Sequence, residues 1–276
     1  MKNRRSITTS RIAACAAALA GSLGAGCGDD ANDFDGRFGV PIFGVTSNGD
    51  LVSFQSGFPG GGLLGSVAIT GVNGAIVGID FRPANGALYA VSSAGGIYTL
   101  DTLTGAATLS STLSTPLQGT AFGVDFNPVA DRLRIVSDTG QNLRVDVATG
   151  SATVDTSLAY AAGDPNAGVT PNVVAAAYTD NVAGATATTL YTIDSGTDTL
   201  NLQNPPNDGT QETVGRLGVD ASNVVCFDFA GTEGPTFAAI TDGGVSTLYY
   251  VDLASGHLNS FGVVEGASLI GCSALP

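Results

Sequence analysis

Positive charge is what this chain has least of. Ten Lys and Arg stand against 24 Asp and Glu, and four of those ten (Lys2, Arg4, Arg5, Arg11) fall within the first eleven positions. Beyond residue 26 there is no Lys, and six Arg face 24 acids, an excess of 18 negative charges. Such a surface repels phosphate backbones and anionic headgroups, which argues against nucleic acid and against electrostatic membrane binding. Tryptophan is absent, so a stacking platform for sugars is poorly served. Histidine occurs once, at His257. A histidine-based zinc site fails by count, and without a G-x-S-x-G elbow a Ser-His-Asp device fails too. Glu212, Glu233 and Glu265 are too scattered to pick out a catalytic carboxylate pair. "PGGGLLG" (Pro59 to Gly65) has no Lys and no helix after it, hence no phosphate loop.

A membrane-spanning run is also missing. The apolar stretch from Ile12 to about Gly26 is shorter than the roughly 20 residues a bilayer needs. With its basic start it reads as an export signal over residues 1–26. The small residues before Cys27 give it a lipoprotein character, in which the Cys27 thiol takes a diacylglycerol and becomes the mature N-terminus. Such signals usually carry Leu three places before the Cys, where Gly24 stands here. The alternative is ordinary cleavage near Ala18–Ala20 and full secretion; Arg4-Arg5 is a weak hint of twin-arginine export. Residues 27–38 then form a flexible acidic tether, and 39–276 one β domain. The expected location is the periplasmic or extracellular side of a membrane, reached only through the lipid.

What the chain has in abundance is repetition. "GIDFRPANGALYAVSSAGGIYTLDTLTG" (Gly78 to Gly105) aligns without a gap to "GVDFNPVADRLRIVSDTGQNLRVDVATG" (Gly123 to Gly150), 45 positions on. Each unit reads as short alternating strands bounded by Gly, Pro, Asn or Asp. Four antiparallel strands per unit of about 45 residues mark a β-propeller blade. Further units open at Asn172 and Asn223. Three strands precede the first unit and one, "ASLIGCSAL", follows the last; together they complete a fifth blade. The expected fold is all-β, a five-bladed propeller closed by its C-terminal strand, with a β-sandwich pair or an open solenoid as alternatives.

The opening strands align Gly78, Gly123, Ala175, Cys226 and Gly271 in one ring position, all small, as crowding near an axis requires. Cys272 lies one place on and faces the other side of its strand. Facing surfaces of neighbouring blades have opposite parity, so Cys226 and Cys272 are expected to meet in a disulfide, as an oxidising compartment permits; two inert thiols are the alternative.

Three constellations remain. "DTLTG", "DVATG" and "DLASG", from Asp101, Asp146 and Asp252, resemble calcium loops but read as Asp-capped turns closed by Gly. Asp80, Asp125 and Asp228 share one position in three opening strands, with Ala177 and Ser273 in the other two. They are either a carboxylate ring able to hold a cation such as Ca²⁺, or acceptors for amides of the next blade. The hairpin "DRLRIVSDTGQNLRVD" groups Arg132, Arg134, Asp138, Gln141, Asn142 and Arg144; with Asn204, Asn207 and Asp208 of "QNPPNDG" it is a candidate anion or glycan pocket. An inter-blade ion network is the structural explanation of the same residues.

The strings "GTAFGVDFNPVADRLRIVSDTGQNLRVD" and "LYTIDSGTDTLNLQNPPNDGT" resemble a bacterial family described only as domain of unknown function 4394, over about Ile42 to Ile270. The resemblance implies an exported, repeat-built β domain and no particular activity. The expected role is a binding or scaffolding module at the cell envelope, monomeric and without a cofactor, its partner an envelope protein or small ligand. The alternative is a metal-dependent lactonase- or lyase-like propeller enzyme using the channel carboxylates. A self-associating surface-layer component is a third reading.

Overall fold

The computed structural model describes residues 39–221, 224–232 and 234–275. The expected signal and tether, with Cys27, and also Glu233, lie outside the described residues.

Four blades are consecutive meanders. Blade 1 is β4 (Ile76–Arg82), β5 (Ala87–Ser92), β6 (Gly96–Leu100) and β7 (Ala107–Thr112); blade 2 is β8 (Phe122–Asn127), β9 (Arg132–Ser137), β10 (Asn142–Val145) and β11 (Ala152–Val154). Blade 3 is β13 (Val173–Tyr178), β14 (Leu190–Asp194), β15 (Thr199–Gln203) and β16 (Thr210–Arg216); blade 4 is β17 (Val224–Phe229), β18 (Thr236–Asp242), β19 (Val245–Val251) and β20 (Leu258–Val263). Blade 5 joins the two ends of the domain. Its order is β21 (Leu269–Ala274), β1 (Pro41–Thr46), β2 (Asp50–Gln55) and β3 (Gly65–Ala68), with Ile42 opposite Ala274 and Gly44 opposite Cys272. The inner strands neighbour one another in the order β4, β8, β13, β17, β21 and back to β4, so the ring closes without a free inner edge.

One strand was not foreseen. β12 (Ala159–Tyr160) adds to the outer edge of blade 3 in parallel with β16, pairing Ala159 with Thr210 and Tyr160 with Gln211. The segment leaving blade 2 thus clasps blade 3 before entering it, and two residues are too few to show an alternating pattern.

The repeat at 45 residues is explained by latches between blades. Asp146 Oδ1 accepts the amides of Ala148 and Thr149 and turns the chain, as Asp101 does for Leu103 and Thr104. Gly150 then takes a positive φ of 74°, and the Ser114 amide of the preceding blade donates to its carbonyl at 2.9 Å. A Cβ on Gly150 would lie 1.9 Å from the Thr112 carbonyl oxygen, so the position needs glycine for both its φ and its close approach.

Apolar clusters fill the spaces between blades. The smallest lies between blades 2 and 3 (Val136, Leu158, Val173, Ala176, Tyr178, Leu190). There a polar network takes up the rest of the interface. Crowding at the ring position holds at Gly78 and Gly123, where a Cβ would come within 2.4 Å of Val124 and 2.5 Å of the Ala176 nitrogen. It does not hold at Gly271, where a Cβ would meet nothing within 4 Å. Cys226 and Cys272 form a disulfide, their Cα atoms 5.4 Å apart, joining the inner strand of blade 4 to the strand that closes the ring.

Candidate functional site

Two buried charged clusters stand out, one on the axis and one between blades 2 and 3.

On the axis, Asp80, Asp125 and Asp228 each offer an oxygen within 4.8 Å of the others, and all three are at most 3% exposed. Period-two alternation points them to the same side of β4, β8 and β17. Each accepts an amide of the next inner strand where that strand can give one. Phe126 N–H donates to Asp80 (2.7 Å), Tyr178 N–H to Asp125 (3.0 Å) and Ala274 N–H to Asp228 (2.7 Å). Ser273 continues the ring by accepting from Phe81 N–H at 3.3 Å. Ala177 has no acceptor to offer blade 4, and the Phe229 amide turns to Asp228 of its own strand at 2.6 Å.

The Ser273 hydroxyl lies 2.9 Å from both Asp80 Oδ1 and Asp228 Oδ2, and its single proton can satisfy only one of them. Burial, and then the charge of Asp228, push the Asp80 carboxyl well above the usual range; burial, then Asp80 and Asp228, do the same to Asp125. Burial raises Asp228 to about 6 against the opposing amides of Ala274 and Phe229 and the Ser273 hydroxyl. The ring therefore favours retaining a proton where isolated carboxyls would have lost theirs.

Between blades 2 and 3, Arg134 is paired in register with Arg144 across the β9–β10 ladder. Arg134 is 2% exposed and bonded through all three of its nitrogens. Its Nη1 donates to Asn142 and Asp155 at 2.7 Å, its Nη2 to Asn207 at 2.8 Å, and its Nε to the Tyr178 hydroxyl at 3.3 Å. Arg144 grips Asp155 through Nε and Nη2, at 2.7 and 2.9 Å. Burial pushes the Asp155 carboxyl up, and the Arg144 and Arg134 guanidiniums outweigh it, leaving it below the usual range. Arg132 is half-exposed, 3.5 Å from Asp146. A cavity of about 220 Å³ opens here, lined by Asn127, Arg132, Arg134, Arg144, Tyr178 and Asn207, with Ala130 and Pro206 as its apolar wall.

The structure divides the residues grouped from the sequence. Arg132, Arg134, Arg144 and Asn207 share the cavity, while Asn142 stands behind Arg134, its amide nitrogen donating to the Thr156 and Pro206 carbonyls. Asp138 and Gln141 do not join them. They lie at the opposite end of the β9–β10 hairpin, where Asp138 accepts from Thr120 and Gln141 bridges the Gln118 amide and the Pro116 carbonyl. Neighbours in sequence are separated here because a six-residue strand spans roughly 20 Å. Asn204 and Asp208 are exposed and line no part of the cavity. Asp155, Tyr178 and Asn127 were not anticipated. They arrive from other elements, and only the need of three buried-strand arginines for an acid hinted at Asp155.

The chain matches the family described as Domain of unknown function (DUF4394) over residues 50–273. It belongs to that family. No curated protein matches it. Among solved structures, a chain of "Crystal structure of Nidogen/Laminin Complex" superposes with a TM-score of 0.51 at 13% identity, covering 86% of this chain and 98% of that one. "Structure of Dos1 propeller" matches with a TM-score of 0.42 at 14% identity, over 78% of this chain and 56% of that one. A structural genomics protein of unknown function from Bacteroides thetaiotaomicron VPI-5482 gives 0.45 at 17% identity, over 84% and 62%. At these identities likeness bears on fold alone, and the first agrees with the propeller seen in this family member.

Proposed function

We propose that the protein is a binding or scaffolding module rather than an enzyme, exported and held at the cell envelope by a lipid on Cys27. The observation that supports this reading most is the use made of the axial carboxylates. Asp80, Asp125 and Asp228 accept backbone amides of neighbouring blades, which is construction. A catalytic metal needs an open coordination position that substrate can reach, and groups at most 3% exposed offer poor access. The inter-blade cavity, by contrast, is open and lined by donors, as a recognition site on a rigid scaffold requires.

The rival reading, a metal-dependent lactonase- or lyase-like enzyme, draws on the same three oxygens lying within 4.8 Å of one another. Metal analysis of protein purified without chelator separates the two. Stoichiometric Ca²⁺, or another divalent ion, lost in Asp80→Ala and Asp125→Ala variants that still fold, would favour the enzyme. The anchor is tested by radiolabelled palmitate, which is expected to label the wild type and not Cys27→Ala; an unlabelled wild type removes the lipid from the account. The surface-layer reading is answered by sedimentation, with a monomer expected and concentration-dependent assembly against it.

A further inference from the structure

The cavity between blades 2 and 3 gathers charge that the rest of the domain lacks. Of the five arginines among the described residues, Arg132, Arg134 and Arg144 line it, while Arg82 joins blade 1 to blade 2 through Asp131. Two carboxylates answer the three. Asp146 stands 3.5 Å from Arg132, and Asp155 serves Arg134 and Arg144 together. Three cations against two anions leave one positive charge over.

The hydrogen-bonding inventory has the same bias. A guanidinium cannot accept, so the Asn207 oxygen must face Arg134, and its amide nitrogen is left over. The Asn127 oxygen takes the Val129 and Ala130 amides, leaving its nitrogen over as well. The Tyr178 hydroxyl accepts from Arg134 Nε, and its own proton meets no acceptor among the described residues, although Tyr178 is only 1% exposed. Arg144 Nη1 and Arg132 Nε are likewise unmatched among the described residues. Cavity-lining residues thus keep several donors, one of them on a buried side chain, while the Asn127, Asn207 and Asp155 oxygens are already taken.

We propose that this cavity binds a monocarboxylate of about one sugar residue's size, such as a hexuronate, its carboxylate received by Arg144 and Arg132. The inference rests on the binding-module reading and gives it a ligand class. The single excess charge matches a monoanion better than a phosphate dianion. The amide and phenol donors suit ring and hydroxyl oxygens, and Pro206 and Ala130 supply an apolar wall for the carbon face. At about 220 Å³ the space falls below the roughly 300–1,000 Å³ of drug-sized sites, which fits one ring.

The test is a titration of the full chain followed by the arginine Nε–Hε resonances, with D-glucuronate, D-glucose and inorganic phosphate as probes. Glucuronate is expected to shift the Arg132 and Arg144 signals saturably, glucose not at all, and phosphate with an affinity about tenfold weaker or less. Arg144→Gln is expected to weaken glucuronate by about tenfold or more. Arg132→Gln, half-exposed and without a buried partner, is expected to weaken it while melting within about 2 °C of the wild type. Glucose or phosphate binding as well as glucuronate overturns the carboxylate assignment and leaves a binding module. Saturation by none of the three overturns the cavity as this module's small-molecule site.

Discussion

The axial ring and the inter-blade cavity are both buried charged clusters, and they differ in whether the repeat produces them. Asp80 and Asp125 stand 45 residues apart, at one position of the unit, and do one job for two blades. The residues 45 places before Arg132, Arg134, Asn142 and Arg144 are Ala87, Tyr89, Ile97 and Thr99. In blade 1, Tyr89 and Ile97 sit in an ordinary apolar interface with blade 2. A blade of this fold therefore closes without guanidinium groups at these positions, its Arg82 bonding Asp131 and the Tyr89 hydroxyl from β4 instead. What recurs builds the common shape; the arginines of the cavity occur once and are not required by the repeat.

The sharpest way to break this comparison is at Arg134. Arg134→Ala strips a partner from Asp155, Asn142, Asn207 and Tyr178 at once, and denaturant unfolding is expected to show a loss of about 3–5 kcal/mol. A loss under about 1 kcal/mol would mean the network is not holding blades 2 and 3 together. Next in size is the Cys226–Cys272 bond, which spans 46 residues. Reducing it, or making Cys226→Ser with Cys272→Ser, is expected to cost about 2–4 kcal/mol, read as a lower melting temperature under reductant.

The ring predicts an effect of pH. Its carboxyls titrate above the usual range when folded, so the native state holds protons that the unfolded chain has released. Stability is then fully present below the ordinary carboxylate pKa and falls as pH rises from about 4 through the Asp228 value of about 6. Asp155 and Asp131, held below the usual range, act oppositely and cost stability only as pH falls into the acid limb. The stability maximum is expected on the acid side of neutral, and Asp228→Asn is expected to flatten the fall by on the order of 1–3 kcal/mol. A profile equally steep in that variant would place the protons elsewhere. The smallest effect is at the cavity rim, where Arg132→Gln is expected to change stability by less than about 0.5 kcal/mol. Chemical denaturation of that variant separates a recognition residue from a structural one.

Closure and blade number were legible because the turn chemistry repeats: Asp caps and positive-φ glycines at a fixed spacing leave little freedom in where strands begin. The disulfide was legible from strand parity alone, since Cys226 and Cys272 fall on facing sides of adjacent blades. The site was legible only in part. Arg132, Arg134 and Arg144 announce themselves by rarity in an acidic chain, and the "QNPPNDG" loop that brings Asn207 by its polar length, but their partners Asp155 and Tyr178 come from the blade 2–3 connection and from β13. No local spacing encodes such an assembly, and Asp138 and Gln141 were drawn in by proximity along the chain and excluded by the length of a strand. β12 was invisible for the reason that makes it unusual, a two-residue parallel edge set by what it packs beside.

The measurement that bears most directly on the axial ring is the melting temperature at pH 7 of wild type and Asp80→Asn, each with Ca²⁺ and with chelator. The amide put in place of the Asp80 carboxyl can donate to Ser273, free the hydroxyl proton for Asp228 and still accept from Phe126. The variant is therefore expected to be more stable by about 1 kcal/mol, with neither protein responding to calcium. A wild type that gains several degrees in calcium, and a variant that loses that gain, would show that the ring is a cation site.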